Sequence, residues 1–401
     1  MWRAIHLRLK RLYQPPAVEA ARLYRRLLDG KHVIGITGSC GKTSAKDLTA
    51  AVLGSTLRGA KSYDTTNKAY SIARTLFRTR PWHDFVVQEI GASDPGSLDR
   101  PVAVLRPTIA VITIIGKDHV SALRDEDAVL LEKRKIADAL PPGGVAVLNA
   151  DDPRLAALAQ SLPVRVVTFG RSPEAHLRAT AVSAAYPRRL CFDLSCDGER
   201  LHVETRLLGE HLLPSALAAL AVAHVAGVPL SRAAAALAEV DATRGRMCPI
   251  ETPEGITFVD DSYKAPYWSL EKVFEFLRSA RAPRKWLVLS TVSDTKYLRN
   301  RTLYARLTRQ ALESVDRVVF IGDPAMRWVE SNERVRAFAT VGEAHAFLAS
   351  ELRAGDLVLV KGTNRRDHLI RLIAVRTQHV GCWREDCRLD IDCRRCRYVS
   401  G

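Results

Sequence analysis

The run Val33-Ile-Gly-Ile-Thr-Gly-Ser-Cys-Gly-Lys-Thr-Ser44 carries the residue types of a phosphate cradle. An apolar β-branched stretch enters a glycine-rich turn, then come a lysine, two hydroxyls and a helix-compatible segment. Glycines let backbone N–H groups approach an anion, and the helix start adds positive potential. A lysine reaches the outer phosphates and a threonine hydroxyl can hold Mg²⁺. Strict Walker spacing would put glycine where Ile36 stands. The narrower form Thr37-Gly38-x-x-Gly41-Lys42-Thr43 still predicts nucleotide binding, by Thr37, Gly38, Ser39, Cys40, Gly41, Lys42, Thr43 and Ser44.

Other reactive groups stand at strand ends. Glu89, within Gln88-Glu-Ile-Gly-Ala-Ser93, leaves a predicted strand, where a carboxylate can hold the metal of a Mg-nucleotide. His119 follows the next strand, and on the residues alone a packed histidine and a ligand are both open. Glu132-Lys-Arg-Lys-Ile136 reads by composition as a solvated charged helix face. Asn149-Ala-Asp-Asp152 follows a strand, Thr243-Arg-Gly-Arg246 stands at a domain boundary, and Asp260-Asp-Ser-Tyr-Lys264 opens a second block. Lys361-Gly-Thr363 ends the last predicted strand.

The elements that must position these groups alternate. Apolar runs at 85–87, 110–115 and 145–148, separated by helix-compatible stretches at 45–57, 71–78 and 127–140, predict parallel βαβ units. Short strands between 164 and 208 predict an antiparallel extension, followed by an alanine-rich helix pair and a linker near 241–245. From 246 to 375 a second doubly wound pattern has strands at 257–259, 286–289, 317–321, 335–338 and 357–360. Residues 1–31 form a basic helical arm interrupted at Pro15-Pro16, expected to pack on the main domain, with a membrane-surface or partner helix as the alternative.

With 401 residues and 47% hydrophobic content the chain has the makings of a globular protein with a large core. Its net charge of +16 favours anionic partners, yet no helix-turn-helix, zinc-finger or aromatic RNA-binding pattern supports a nucleic-acid role. No apolar stretch reaches spanning length and no signal-peptide h-region is present, which reads as cytoplasmic. Four cysteines, Cys382, Cys387, Cys393 and Cys396, crowd the tail. They could hold one Zn²⁺, with His379 as a substitute ligand, or form a flexible Arg/Cys-rich tail suited to an acidic partner or an anionic carrier.

In their order these motifs resemble the Mur ligase family, most closely its MurF branch, from about 33 to 373. The resemblance implies an α/β protein: a central P-loop ATPase domain (32–243) and a C-terminal Rossmann-like domain (244–375), with the helical arm (1–31) before them and the Cys/Arg-rich tail (376–401) after. It implies ATP-dependent amide-bond formation through an acyl phosphate, with release of ADP and phosphate. Lys42 and Arg246 would stabilise the phosphates, and Thr43, Glu89, His119 and a carbamylated Lys133 would build the Mg²⁺ shell. Neighbouring Arg134, Lys135 or a metal would favour the neutral amine that carbamylation needs. Asn149, His211 and Asp261 fall at nucleotide-contact positions of the family. The sequence departs from the pattern at Leu212, Ser215 and Lys264, each replacing an expected asparagine. Only about thirty residues precede the phosphate loop, where MurF enzymes place a UDP-sugar-binding domain. The expected acid therefore lacks a UDP handle or is presented by a carrier or partner protein. A polymerising ligase of the folyl-polyglutamate or poly-γ-glutamate kind and a P-loop kinase or NTPase are the alternatives.

Overall fold

The computed structural model describes every residue except 1, 64, 118–119, 296–298, 364–365, 386, 388, 390 and 401, and gives the backbone alone for 2–12 and 120–121. The chain divides into two compact units. One comprises 1–183, 190–206 and 211–240; the other comprises 184–189, 207–210 and 241–401. The arm thus belongs to the first unit and the tail to the second.

The first unit is built on nine strands: β1 (His32–Thr37), β2 (Gly59–Lys61), β3 (Phe85–Glu89), β4 (Ile109–Ile112), β5 (Val145–Asn149), β6 (Arg165–Gly170), β7 (Leu177–Ser183), β8 (Cys191–Cys196) and β9 (Glu199–Glu204). Their spatial order is β2-β3-β1-β4-β5-β6-β7-β8-β9. The helices are α1 (Trp2–Tyr24), α2 (Lys42–Gly54), α3 (Ala69–Arg78), α4 (Asp99–Leu105), α5 (Val120–Leu123), α6 (Glu126–Asp138), α7 (Pro153–Ser161), α8 (Leu213–Val225) and α9 (Leu230–Ala238). Strands β3, β4 and β5 are buried along their whole length, as parallel strands covered on both faces must be. The chain leaves β1 for β2 and β3 on one side, then crosses to β4 on the other. The carboxyl end of β1 is therefore a switch point, the usual ligand crevice of such a sheet.

Two expectations change here. Strand β6 pairs in parallel with both β5 and β7, so the antiparallel extension is only β7-β8-β9. Helix α1 also runs through Pro15 and Pro16. The ring-fixed φ is itself helical, and both prolines are exposed. The arm packs on its own unit, with Val18, Ala21 and Leu28 in one core with Ile72, Leu76 and Leu98. Buried Arg25 fastens the end of the arm by donating to the Leu105 and Arg106 carbonyls, both at 2.9 Å.

The second unit holds β10 (Cys248–Glu251), β11 (Thr257–Asp261), β12 (Arg284–Leu289), β13 (Arg317–Ile321), β14 (Val335–Phe338) and β15 (Asp356–Lys361), ordered β10-β11-β15-β12-β13-β14. Only β10, absent from the sequence reading, runs antiparallel, and its proline sits on that edge strand where a missing donor is tolerated. Helices α10 (Leu270–Ser279), α11 (Asn300–Leu312), α12 (Asp323–Trp328), α13 (Val341–Glu351) and α14 (Ile370–Ala374) complete the unit. Among the described residues no helix is long and apolar enough to cross a membrane.

Replacing Arg25 by Ala strands two carbonyls and should lower unfolding free energy in urea by about 1–3 kcal/mol. Arg25→Lys should recover only part of that loss, because an ammonium cannot reproduce the fork.

Candidate active site

The phosphate loop joins β1 to α2. Gly38 and Gly41 have φ of +146° and +79°. A Cβ at Gly38 would lie 2.0 Å from Thr113 Oγ1, so the loop closes on Thr113 only because that position is bare. Thr113 Oγ1 donates to Cys40 O at 2.5 Å, Ser39 N to Ile114 O at 2.8 Å, and Gly116 N to Ser39 Oγ at 3.0 Å. Ser215 Oγ donates to Gly41 O at 3.3 Å from α8. The residue that in the family would be an asparagine thus braces the loop here. Helix α2 has no side-chain N-cap, which suits a helix start that receives an anion. Lys42 folds back, its Nζ 2.6 Å from Gly38 O, and Thr37 Oγ1 is buried without a hydrogen-bond partner.

Thr43 and Glu89 meet beside this loop. Parallel pairing sets Ile36 opposite Glu89, and Thr43 Oγ1 donates to Glu89 Oε2 at 2.8 Å in a buried contact. Asn67 Nδ2 reaches Glu89 Oε1 at 3.4 Å, and Glu89 N donates to Ser62 Oγ at 3.2 Å. Two oxygen donors anchored this way match the preference of Mg²⁺ for hard ligands, so these residues fit a Mg-nucleotide.

The charged helix segment is not a solvated face. Glu132 is 4% exposed and Lys133 has no exposed surface at all. Glu132 accepts from Gly96 N (2.9 Å), Leu98 N (2.7 Å) and Lys135 Nζ (2.8 Å), tying the loop after Glu89 to α6. Burial pushes its carboxyl up, but the Lys135, Leu98 and Gly96 hydrogen bonds outweigh this and leave it below the ordinary value. Arg134 and Lys135, expected to act on Lys133, pair instead with Asp138 and with Asp99 and Glu132. His119 lies outside the described residues. Asn149 is buried, and its amide is engaged with backbone: Nδ2 donates to Thr113 O at 3.0 Å and Oδ1 accepts from Asp151 N at 3.0 Å. It supports Thr113, the residue that fills the space beside Gly38. His211 sits in a one-turn 3₁₀ segment, half-buried.

In the second unit Asp260 is the organising acceptor. It is buried and takes hydrogen bonds from Gly245 N (3.2 Å), Ser262 N (3.2 Å) and Ser262 Oγ (2.6 Å). Burial raises its carboxyl, with the Ser262 bonds and Arg394 opposing. The arrangement holds Arg246 with its guanidinium 4.5 Å from the Tyr263 ring centre and its Nε buried without a hydrogen-bond partner. Asp261 pairs with Lys361 at 2.5 Å across the β11–β15 register.

Described residues of the tail pack on the second unit. Val380, Cys393 and Val399 join the core of the second unit, and Trp383 stacks on His345 with ring centres 4.8 Å apart. His379 is exposed, whereas the histidine beside the cysteines is His368, with Nδ1 3.3 Å from Cys393 Sγ. Elsewhere Cys196, Asp197 and His224 cluster in the first unit, but the sulfur and carboxylate meet opposite ring nitrogens, at 3.9 and 3.5 Å. One imidazole cannot turn both nitrogens to one ion, and burial pushes the Cys196 thiol up to about 11. The trio is a hydrogen-bonded chain holding the β8–β9 turn to α8.

A phosphate loop at a parallel-sheet switch point, followed by a second doubly wound unit, defines a nucleotide-binding protein of two α/β units. Residues 36–223 match the Mur ligase middle domain and 245–364 the Mur ligase, glutamate ligase domain. The UDP-N-acetylmuramoyl-tripeptide–D-alanyl-D-alanine ligase of Mycobacterium bovis is 31% identical over 364 residues, covering 84% of this chain and 71% of that one. Its Escherichia coli counterpart is 30% identical over 246 residues, 61% of this chain and 54% of that one. MurF from Acinetobacter baumannii shares the fold with a TM-score of 0.80 at 24% identity, covering 90% of this chain and 80% of that one. MurF from Thermotoga maritima, solved in complex with ADP, gives 0.75 at 22% identity, with 86% and 80% covered. The chain belongs to the Mur ligase family. It is an ATP-dependent, ADP-forming peptide ligase.

Glu132→Gln should cost about 1–3 kcal/mol of stability near neutral pH. A depressed carboxyl contributes fully above its unfolded value of about 4.3 and loses the contribution as pH falls through the folded value. The gap between wild type and variant in denaturant titrations should therefore be widest near neutrality and close in the acid range.

Proposed function

We propose that this chain joins a D-alanyl-D-alanine-type dipeptide amine to the peptide carboxylate of a UDP-linked muramoyl tripeptide, in the cytoplasm. The Thr43–Glu89 contact at the mouth of the phosphate loop carries the nucleotide half of this reading. The substrate half is supported by relatives that match 84% of the chain and are UDP-N-acetylmuramoyl-tripeptide–D-alanyl-D-alanine ligases. Their names point away from the expected handle-free acid.

A carboxylate oxygen of the acid attacks the γ-phosphorus, the bond to the β-bridging oxygen breaks, and ADP leaves. The amine nitrogen then adds to the acyl carbon, and phosphate departs as the tetrahedral intermediate collapses. In the first unit Lys42 and the loop amides neutralise charge on the transferring phosphoryl group. Thr43 and Glu89 would hold Mg²⁺, which would offset phosphate charge, and the family resemblance would add His119 and a carbamylated Lys133 to its ligands. Full enclosure of Lys133 suits an amine that must shed its charge to take up CO₂. In the second unit Arg246 is stacked on Tyr263 with its Nε donor to spare, the state a phosphate-binding guanidinium needs, and Asp261 falls at a position that the family resemblance assigns to nucleotide contact.

ADP release should require both UDP-muramoyl tripeptide and the dipeptide, and hydroxylamine in place of the dipeptide should give a hydroxamate. Equal turnover of the tripeptide stripped of UDP would return the handle-free acid. ADP formation indifferent to any acid would favour the NTPase reading. Thr43→Val and Arg246→Ala should each lower kcat/KM by about 10²–10³-fold. If Lys133 is carbamylated, activity lost in CO₂-free buffer should return with bicarbonate.

A further inference from the structure

The tail of the second unit folds its four cysteines around one small pocket of about 10 Å³, room for roughly one water-sized particle. Cys382, Cys387, Cys393 and Cys396 all line it, although they span fifteen residues of chain. We propose that these four thiols form a structural zinc site that fastens residues 380–400 to the second unit, with His368 as a hydrogen-bond partner of the Cys393 sulfur.

Backbone geometry brings the two arms together independently of any side chain. Gly381 N and Cys382 N both donate to Val399 O, at 2.8 and 3.2 Å, so the first arm lies against the last. Cys393 and Cys396 flank a one-turn 3₁₀ segment, Cys393–Arg395, which Asp392 caps by accepting from Arg394 N at 3.0 Å. Cys396 N donates to Cys393 O at 3.1 Å, closing a C-x₂-C turn that turns both sulfurs to one side. As the side chains stand, among the described residues no three of the four sulfurs lie within 4.8 Å of one another. A tetrahedral zinc thiolate, with Zn–S of about 2.3 Å, needs sulfur separations of roughly 3.8 Å. Metal entry thus draws the thiols inward around a pocket they already share.

Charge supports a dianionic centre. Four thiolates on one Zn²⁺ carry a net charge of minus two, and the same pocket is lined by two guanidiniums, Arg371 and Arg384. Arg371 is 2% exposed and donates to the Cys382 and Arg384 carbonyls, both at 3.0 Å, so its cation is fixed against the first arm. His368 is buried at a left-handed φ of +48°, a conformation unfavourable to a side chain, and this strain presents Nδ1 to Cys393 at 3.3 Å. The knuckle in turn places Arg394 3.9 Å from Asp260 and Asp392 3.9 Å from Arg244. It therefore braces the segment that carries Arg246 and Asp261.

Metal analysis of the purified full-length chain should find about one zinc per chain, and Cys387→Ser/Cys396→Ser should lower it at least about tenfold, while Cys191→Ser leaves it unchanged. Cobalt loading should give the intense visible absorption of a tetrahedral thiolate site in wild type and in His368→Gln. Chelation should expose the 376–400 segment to protease. Zinc absent from wild type, zinc retained by the double variant, or iron and sulfide in its place would overturn the proposal. Loss of the cobalt-thiolate spectrum on His368→Gln would overturn the four-thiol ligand set. None of these readouts depends on ligase activity.

Discussion

A loop that offers its backbone N–H groups to an anion cannot use them to hold its own shape, so other groups must fix it. The first unit meets that constraint with side chains that approach from outside the loop. Thr113 occupies the space a Cβ at Gly38 would take and ties down the Cys40 carbonyl. Asn149 steadies Thr113 from the next strand, Asp152 accepts from Ile115 N at 2.6 Å, and Ser215 anchors Gly41 from α8. The family motif around Asn149 and the serine in place of an asparagine at 215 find one explanation in this support. Both are positioned to brace the cradle, whatever else the ligand requires of them.

The same logic governs the carboxylates. A buried acid is stable only when hydrogen-bonded, and two of the buried acids near the candidate sites, Glu132 and Asp260, accept from backbone N–H groups of loops. Glu132 holds the backbone after Glu89, and Asp260 holds Gly245 and Ser262. Neighbours of these bracing residues are the ones with reactive chemistry: Lys133 follows Glu132, Asp261 follows Asp260, and Arg246 follows Gly245. Alternation along β11 turns Asp260 and Asp261 to opposite faces, whereas Glu132 and Lys133 share the buried face of α6.

Much of this was legible in the sequence because the signals were local. The strand–glycine–lysine run fixes where β1 ends and α2 begins, and the parallel strands read as unbroken apolar stretches. Composition misled at Glu132-Lys133, where four consecutive charged residues suggested a wet surface. The register was the better signal: Val129, Glu132, Lys133 and Ile136 recur at i, i+3, i+4 and i+7, one helix face, and that face is buried. Partners such as Thr113 for Gly38, or Lys361 for Asp261, lie 75 and 100 residues distant or nearly so, and no spacing rule joins them. Only strand register does.

The tail illustrates the limit from the other direction. Cysteine spacing suggested a metal, but the sequence pointed to His379 as the nearby nitrogen, and that side chain is exposed. His368 stands at the pocket because α14 (Ile370–Ala374) and the turn before it return the chain beneath residues 382–396, a long-range consequence of packing Leu369, Ile370 and Leu372 into the core. Its backbone takes a left-handed φ while the imidazole stays inside. Arg371, one helical turn on, then ties the first arm to the turn before α14 with guanidinium donors that a lysine could not supply. The chemistry of the tail thus depends less on the cysteines' own spacing than on two residues that the core places beneath them.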